Sequence, residues 1–337
     1  MLNSRYKKRF LLGLTILAIV VAVGAPFTGM QFISLRSVLD PVSAGTDYDI
    51  FWRIRVPRVC ISFLAGAGLA ISGMAYQAMF RNLLATPYTL GVASGASLGA
   101  ACYVHLGFMF SLLGIPGISV FAFCGAVLAV AFVYGITMLR GKRLASSTLL
   151  LAGVAISFFF SSLILFIQYL STFAHSFQIV RWLMGAISVV GFEPVRQLTP
   201  FVLCGSLVIL YLRHELNLLM AGEDLSTSRG VNVNRTRQFT FFATSLMVGG
   251  VVAVCGPIGF MGMMAPHICR LIIGADHRYL APATLLFGGV FLTVCDTIAR
   301  TIIAPAEMPV GIITALLGGP FFIWLLVGRS SDKWGMA

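Results

Sequence analysis

The chain has 337 residues, of which 58% are hydrophobic and 10% are charged, and its formal net charge is +12. Soluble domains carry about a quarter charged residues, so this composition and a mean hydropathy of +0.95 exclude an ordinary soluble protein. Apolar stretches of about 20 residues predict membrane-spanning helices, and the alternating segments of a β-barrel are not seen. We therefore expect an all-α integral membrane protein with a single polytopic domain, 1–337.

Ten candidate membrane spans follow one another along the chain, and the eighth is the shortest. Their approximate ranges are 10–26, 59–80, 88–108, 115–139, 148–170, 197–212, 239–256, 259–274, 280–304 and 309–328. Many glycines lie inside these stretches. Small residues let helices approach closely where lipid supplies no hydrophobic drive for association, so the sequence predicts a compact bundle.

The distribution of basic residues predicts the orientation. When the N-terminus is placed in the cytoplasm, most of the 23 lysines and arginines fall on that side, in segments 5–9, 140–143, 213–238 and 329–333. Cytoplasmic loops of membrane proteins are enriched in such residues. Both termini are therefore expected in the cytoplasm. The net charge is explained by anchoring to membrane lipid, and nucleic acid is not an expected partner.

The first span and the cysteines each have two interpretations. Residues 5–25 resemble a signal peptide, but the apolar run continues to Phe27 and no clean cleavage site follows, which favours a retained helix. The seven cysteines show no CxxC spacing and fall mostly within apolar spans. They are interpreted as unpaired thiols that pack like small apolar side chains, so neither a metal site nor a disulfide is predicted.

Two long loops separate the spans, 28–58 on the outer side and 213–238 on the cytoplasmic side. The second contains no apolar run long enough to cross a bilayer. Glu223 and Asp224 would complement the dipole of a helix that begins there, and Gly222 and Gly230 are expected helix breaks. A polar, partly helical segment on this side predicts a docking surface.

The sequence lacks two common energy sources for transport. Of eleven carboxylates only Asp296 lies well inside a span, and Arg300, one helical turn later, is expected to pair with it. This disfavours a proton- or sodium-coupled transporter, which remains the alternative. The GxxxxGK[ST] phosphate loop is absent, so the chain is not expected to be an enzyme. A membrane enzyme using His267, Cys269 and His277 is disfavoured because these residues do not share one helix face.

Several motifs resemble the FecCD-type permeases, the membrane subunits of ABC importers for iron chelates, haem and cobalamin. They are RVPR at 55–58, the glycine-rich run at 64–100, GPIGF at 256–260, APHICRL at 265–271, DHR at 276–278 and the run at 296–326. The resemblance covers about residues 50–328 in one register. It implies the type II ABC importer permease fold and a multi-pass protein of a bacterial or archaeal cytoplasmic membrane.

The resemblance also implies partners and a class of cargo. Two ABC ATPase subunits would bind ATP and Mg, so no cofactor is expected on this chain. A periplasmic or lipid-anchored binding protein would deliver the cargo, and a second permease copy would complete a homodimer. Ferric siderophore or haem is favoured, whereas cobalamin and an oxyanion such as molybdate remain open.

By the same resemblance, loop 213–238 docks into the ATPase. The matching positions are Asn217, Leu218, Leu219, Gly222, Glu223, Asp224 and Gly230. Ser226 and Arg229 depart from the family pattern and are predicted to tune this surface to one ATPase. His267 belongs to the general signature and is expected to be structural.

Further positions match a docking surface and a gate. Arg55 and Arg300 would bind carboxylates of the binding protein, because the guanidinium fork can hold a carboxylate at two points. An internal pair for Arg300 and a lipid contact for Arg55 are the alternatives. Arg53 and Arg58 are weaker candidates for docking. The expected cytoplasmic gate residues are Asn82, Leu84, Ser146 and Ser147, and Leu83 stands where the family commonly has proline.

Overall fold

Helices dominate the fold because backbone polar groups in lipid must be satisfied within their own segment. The computed structural model describes residues 4–29, 33, 38, 46–112, 114–139 and 146–328. The helices are α1 Ser4–Gly24, α2 Val56–Phe80, α3 Val92–His105, α4 Gly117–Leu139, α5 Ser146–Leu170, α6 Phe173–Leu183, α7 Glu193–Tyr211, α8 Arg213–Ala221, α9 Glu223–Ser228, α10 Val233–Cys255, α11 Met261–Ile273, α12 His277–Ala299 and α13 Val310–Gly328. A helical turn at Thr46–Asp49 and a π-helical segment at Ile50–Arg55 lead into α2.

A short hairpin of β1 (Ser111–Leu112) and β2 (Ile115–Pro116) joins α3 to α4, with Ser111 opposite Pro116. Each of the ten predicted spans contains a helix. Seven helical segments of the described chain are long and apolar enough to cross a membrane. Helix α11 and the part of α13 from Val310 to Leu325 are shorter apolar helices, and α3 has 14 residues. The all-α membrane fold is confirmed. The predicted number of ten membrane crossings stays approximate, because three of the ten helices are short.

Several helix boundaries differ from the predicted spans. Helices α1 and α10 begin six residues earlier than expected, at Ser4 and Val233. The third span was expected from 88, but Pro87–Leu90 forms a 3-10 turn and Gly91 has φ +78°, so α3 begins at Val92. The ninth was expected to reach 304, but α12 ends at Ala299. Residues 300–305 continue as turns, and Pro305 disfavours helical geometry only at Ala304, the residue before it.

Helix α2 lies at the centre of the bundle and packs against α7, α10, α11 and α12. Its glycines allow the closest approaches. A Cβ on Gly66 would overlap the carbonyl of Gly288 in α12, and one on Gly73 would overlap the carbonyl of Gly262 in α11. The glycine content therefore serves backbone-to-backbone packing, as the sequence predicted.

Contacts between distant segments identify the two ends of the bundle. The hydroxyls of Ser4 and Tyr279 lie 3.0 Å apart, so the start of α1 lies beside the start of α12, near α8. The sequence places this end in the cytoplasm. Basic segments 140–143 and 329–333 and part of the outer loop, 30–32, 34–37 and 39–45, lie outside the described residues.

Candidate functional site at the cytoplasmic end

Loop 213–238 forms two short helices, α8 and α9, which pack on the cytoplasmic end of the bundle. In α8, Leu216 and Leu219 are buried and Leu218 is half-buried. Gly222 then adopts φ +134°, a conformation that disfavours side chains, and turns the chain sharply into α9. The predicted break at Gly222 is confirmed, and Gly230, with φ +82°, follows the end of α9.

Asn217 attaches α8 to α12. Its Nδ2 donates to Asp276 Oδ1 at 2.9 Å, and its Oδ1 accepts from the His277 backbone N–H at 2.9 Å. Burial works to raise the pKa of Asp276, but hydrogen bonds from the Arg278 backbone N–H and Asn217 outweigh it and lower that pKa. The polar groups of Asn217 are therefore engaged within the chain, where they join α8 to α12.

Glu223 attaches α9 to α10. Its carboxylate accepts a hydrogen bond from the Arg237 guanidinium at the start of α10. That hydrogen bond, together with the charges of Arg237 and Arg81, lowers the pKa of Glu223. Asp224 and Leu225 are exposed on α9. The exposed part of α9 can therefore meet a partner while its anchor stays ionised.

The two departures from the family pattern lie in different environments. Ser226 is fully buried, and its Oγ donates to the Gly222 carbonyl at 2.6 Å. Ser226 is therefore not exposed for direct contact with a partner, and its effect on the docking surface stays a prediction. Arg229 is exposed immediately after α9.

The predicted gate residues lie at the same end of the bundle. Asn82 Oδ1 accepts from the Leu84 backbone N–H at 2.9 Å, and this turn leaves Leu84 exposed. Ser146 Oγ lies 3.4 Å from the Met79 carbonyl near the end of α2, while Ser147 is exposed. The structure thus brings Ser146 to the end of the helix that Asn82 follows.

Arg81 lies between these residues and the start of α9. It follows α2 in a left-handed conformation, with φ 49°. A Cβ on Gly222 would lie 3.9 Å from Arg81 Nη1, and the charge of Arg81 also acts on Glu223. A displacement of α9 therefore has a short physical route to the end of α2.

At the opposite end, Arg55 and Arg300 are both buried. Arg55 Nη1 donates to the Pro26 carbonyl at 3.1 Å, and Arg300 Nη2 donates to the Ala25 carbonyl at 2.7 Å. Cations favour the carbonyl end of a helix, so both guanidiniums stabilise the turn that follows α1. Their contact with a binding protein stays a prediction.

Asp296 does not form the expected ion pair with Arg300. Arg58 occupies its carboxylate instead, with Nε 2.9 Å from Oδ2 and Nη2 3.0 Å from Oδ1. Arg58 Nη1 also lies 2.8 Å from Glu307 Oε2. Residue spacing along one helix suggested the wrong arginine, because the real partner is 238 positions away. Arg58, ranked as a weaker docking candidate, is the arginine that links α2 to α12.

His267 is buried in α11, and its ring centroid lies 6.0 Å from that of Phe321. This environment agrees with the predicted structural role. Within the described part of the chain, histidine, cysteine and carboxylate side chains form no cluster of three or more that could hold a metal ion.

The arrangement of helices and motifs agrees with comparisons to known proteins. Residues 14–328 match the FecCD transport family. The chain belongs to this family. A solved structure of a metal-chelate type ABC transporter, in an inward-facing conformation, aligns with a TM-score of 0.84 and 33% identity. The alignment covers 96% of this chain and 100% of that one.

Three curated relatives align over most of their length. The hemin transport system permease HmuU of Yersinia pestis is 34% identical, over 99% of this chain and 100% of the relative. The cobalamin import permease BtuC of Halobacterium salinarum is 39% identical, over 92% and 82%. The molybdate import permease MolB of Haemophilus influenzae is 33% identical, over 93% and 94%.

These findings define the general role of the chain. It is a multi-pass inner-membrane permease of the FecCD type, a transport subunit of an ABC importer. Permease subunits of this family lack their own ATPase site and work with ATPase and binding-protein subunits. The relatives serve different cargoes, so membership does not fix what this chain carries.

Proposed function

We propose that this FecCD-type permease moves a metal chelate, a ferric siderophore or haem, into the cytoplasm as half of a homodimer. The hemin permease and the metal-chelate type transporter among its relatives support this class of cargo. Cobalamin and molybdate are the competing cargoes, because relatives named for both align along the chain. Two ABC ATPase subunits bind the ATP and Mg that drive the cycle, and a binding protein delivers the cargo.

The attachment of α8 and α9 to the transmembrane helices carries the mechanistic part of the proposal. Asn217 joins α8 to α12, and Glu223 joins α9 to α10. An ATPase subunit bound to exposed Asp224 therefore pulls on two spanning helices when ATP closes the pair of ATPase subunits. The neighbouring Arg81 transmits the displacement to Asn82 and Leu84 at the inner mouth, which switches the bundle between outward- and inward-open states.

At the outer end, Arg55 and Arg300 are proposed to contribute to binding-protein docking. Both guanidiniums hold carbonyls that follow α1, so the shape of this surface depends on them. A carboxylate of the binding protein that approaches them competes with neutral carbonyl acceptors, over which a charged partner is favoured. Docking would thereby loosen the contact between α1 and the rest of the outer end.

Reconstitution with the ATPase and binding protein encoded by neighbouring genes tests the transport mechanism. In proteoliposomes we expect uptake that requires internal ATP. Glu223→Lys should reduce both ATPase association and uptake, because a cation replaces the anion beside Arg237. Glu193→Lys is the matched control, since this exposed carboxylate lies at the opposite end of the bundle. Full uptake without ATPase, or its collapse with an uncoupler at constant ATP, would instead support an ion-coupled transporter.

The cargo is tested separately with the same proteoliposomes. Ferric siderophores, haem, cobalamin and molybdate are each presented with the binding protein, and internal accumulation is measured by metal analysis. Either a ferric siderophore or haem should accumulate, and each of the three remaining compounds should compete only weakly with its uptake. Accumulation of molybdate or cobalamin alone would overturn the proposed cargo while leaving the ABC mechanism intact.

A further inference from the structure

A cavity of about 760 Å³ opens at the cytoplasmic end, between the end of α7, the start of α8 and the start of α10. Its charged lining consists of Glu215, Arg229 and Arg235. Its apolar rim is formed by Leu207, Tyr211 and Phe239, whose side chains are mostly exposed. The cavity thus combines charged side chains with apolar and aromatic ones.

The position of the cavity corresponds to the headgroup level of a bilayer. Both α7 and α10 are long and apolar enough to span the membrane, and the cavity lies where both meet the cytoplasm. Tyr211 is 82% exposed at the last residue of α7. Aromatic residues of this kind concentrate at membrane interfaces, and basic pockets between spans on the cytoplasmic side hold anionic lipid groups.

An apolar groove of about 210 Å³ lies farther along α10, between this helix and α4. Its lining includes Phe242 and Leu246, which continue the row begun by Phe239 at the cavity rim. Residues spaced by three and four positions share one helix face. The exposed face of α10 therefore offers a path of apolar side chains from the cavity toward the centre of the membrane.

The charged side chains that line the cavity have opposite signs. The Arg235 guanidinium lies 5.5 Å from the centre of the Phe239 ring, which holds it at the rim. Glu215 Oε2 is buried and has no hydrogen-bond partner among the described residues. A buried carboxylate oxygen is costly unless a donor or cation reaches it. A ligand with both a phosphate and an ammonium group would satisfy both kinds of side chain.

We propose that this cavity binds the headgroup of an ethanolamine phospholipid. The phosphodiester lies between the guanidiniums of Arg229 and Arg235, the primary ammonium donates to Glu215, and an acyl chain follows α10 past Phe239. Arg229 also closes α9, since its backbone N–H donates to the Leu225 carbonyl at 3.1 Å. Lipid binding therefore stabilises the connection between α9 and α10. The inference rests on membrane location and not on the proposed cargo.

Native mass spectrometry of the delipidated full chain tests this site. Phosphatidylethanolamine, phosphatidylglycerol and inorganic phosphate are titrated separately, and bound lipids are counted. We expect one tight phosphatidylethanolamine, with phosphatidylglycerol about fivefold weaker and inorganic phosphate unable to displace either lipid. The double variant R229Q/R235Q should weaken phosphatidylethanolamine binding about tenfold, because neutral glutamine cannot form the charge-assisted hydrogen bonds that arginine makes to phosphate.

Two further variants separate headgroup recognition from general electrostatics. Glu215→Gln should remove the preference for ethanolamine over glycerol while leaving phosphate-dependent binding. Arg278→Gln is the matched control, an exposed arginine on the same membrane side and outside the cavity, and it should leave both affinities unchanged. Both arginines of the double variant are exposed, so its melting temperature should match that of the unmodified chain.

Three results would overturn the proposal. Equal affinity for both lipids in the unmodified chain would remove the role of Glu215, and displacement by inorganic phosphate would identify a free-anion site. In the third, R229Q/R235Q retains its lipid affinity but loses affinity for the ATPase. That outcome would assign Arg229 and Arg235 to the protein partner.

Discussion

Arg58 and Asp296 join α2 to α12 through a two-point ion pair, with 2.9 Å between Nε and Oδ2 and 3.0 Å between Nη2 and Oδ1. Both side chains are buried, at 8% and 1% exposed. Glu307 adds a third charge on the outer side, where its side chain is 56% exposed. While this pair is formed, Asp296 holds the Arg58 guanidinium inside the chain.

Removing one charge of this pair should destabilise the protein strongly. Asp296→Asn keeps the shape of the side chain but leaves the Arg58 cation without its buried counter-charge, which costs about 3–5 kcal/mol. We expect a lower melting temperature in detergent and faster exchange of amides at the outer ends of α2 and α12. Glu307→Gln is the control, because an exposed partner contributes only about 0–1 kcal/mol. Equal losses in both variants would mean that the buried pair has no special role.

Sequence reasoning located the helices well because each long apolar stretch has one way to satisfy its backbone in lipid. It placed helix ends less well, since the left-handed backbone of Gly91 is local geometry that hydropathy does not register. The Arg58–Asp296 pair was missed for a different reason. The spacing rule compares residues within one helix, whereas this pair depends on how α2 and α12 pack.

The candidate site was predicted in outline by the charge pattern and the family motifs. Glu223 and Gly222 lie where the helix-start and helix-break signals placed them. The burial of Ser226 could not be read from the sequence, because it depends on the angle that Gly222 sets between α8 and α9. The internal use of Asn217 likewise required knowledge that α8 packs on α12.

Close backbone contact at Gly73 predicts a severe effect of a small substitution. Gly73→Ala places a methyl group into the Gly262 carbonyl, and backbone cannot give way as a flexible side chain does. Separation of α2 from α11 should lower the yield of folded protein and its melting temperature, as measured in detergent. Overpacking of this kind costs about 1–3 kcal/mol or more.

Gly135→Ala is the matched control for that substitution. Gly135 lies within α4, and a Cβ there meets nothing within 4 Å in the described structure. Alanine is about 1 kcal/mol better than glycine in a helix interior, so stability should stay constant or rise slightly. A Gly73→Ala protein as stable as Gly135→Ala would contradict close packing between α2 and α11.

The lowered pKa of Glu223 predicts an acid-dependent loosening of α9. The ionised carboxylate accepts from Arg237, so the contact is fully present above the ordinary value of 4.5 and is lost as pH falls through the lowered pKa. Amide exchange in α9, corrected for its intrinsic pH dependence, should stay constant from pH 8 to pH 5 and accelerate below about 4.5.

Glu223→Gln should give faster exchange in α9 at neutral pH and no further step on acidification. Asp224→Asn is the neighbouring control, since exposed Asp224 should leave the acid profile of α9 unchanged. An acid step that persists in Glu223→Gln would assign the titration to another group.

Asn217 provides the most direct test of coupling between α8 and α12. Asn217→Ala removes the contacts to Asp276 and the His277 backbone. An unsatisfied buried group such as the His277 N–H costs about 1–3 kcal/mol, whereas water can reach the partly exposed Asp276 carboxylate. Asn217→Asp keeps an acceptor for the His277 N–H but places a second carboxylate beside Asp276. Repulsion between the two carboxylates should make this variant couple no better than Asn217→Ala. In proteoliposomes with the ATPase bound, both variants should hydrolyse ATP with less cargo moved per ATP. Hydrolysis and uptake that fall in the same proportion would show instead that Asn217 supports only assembly with the ATPase.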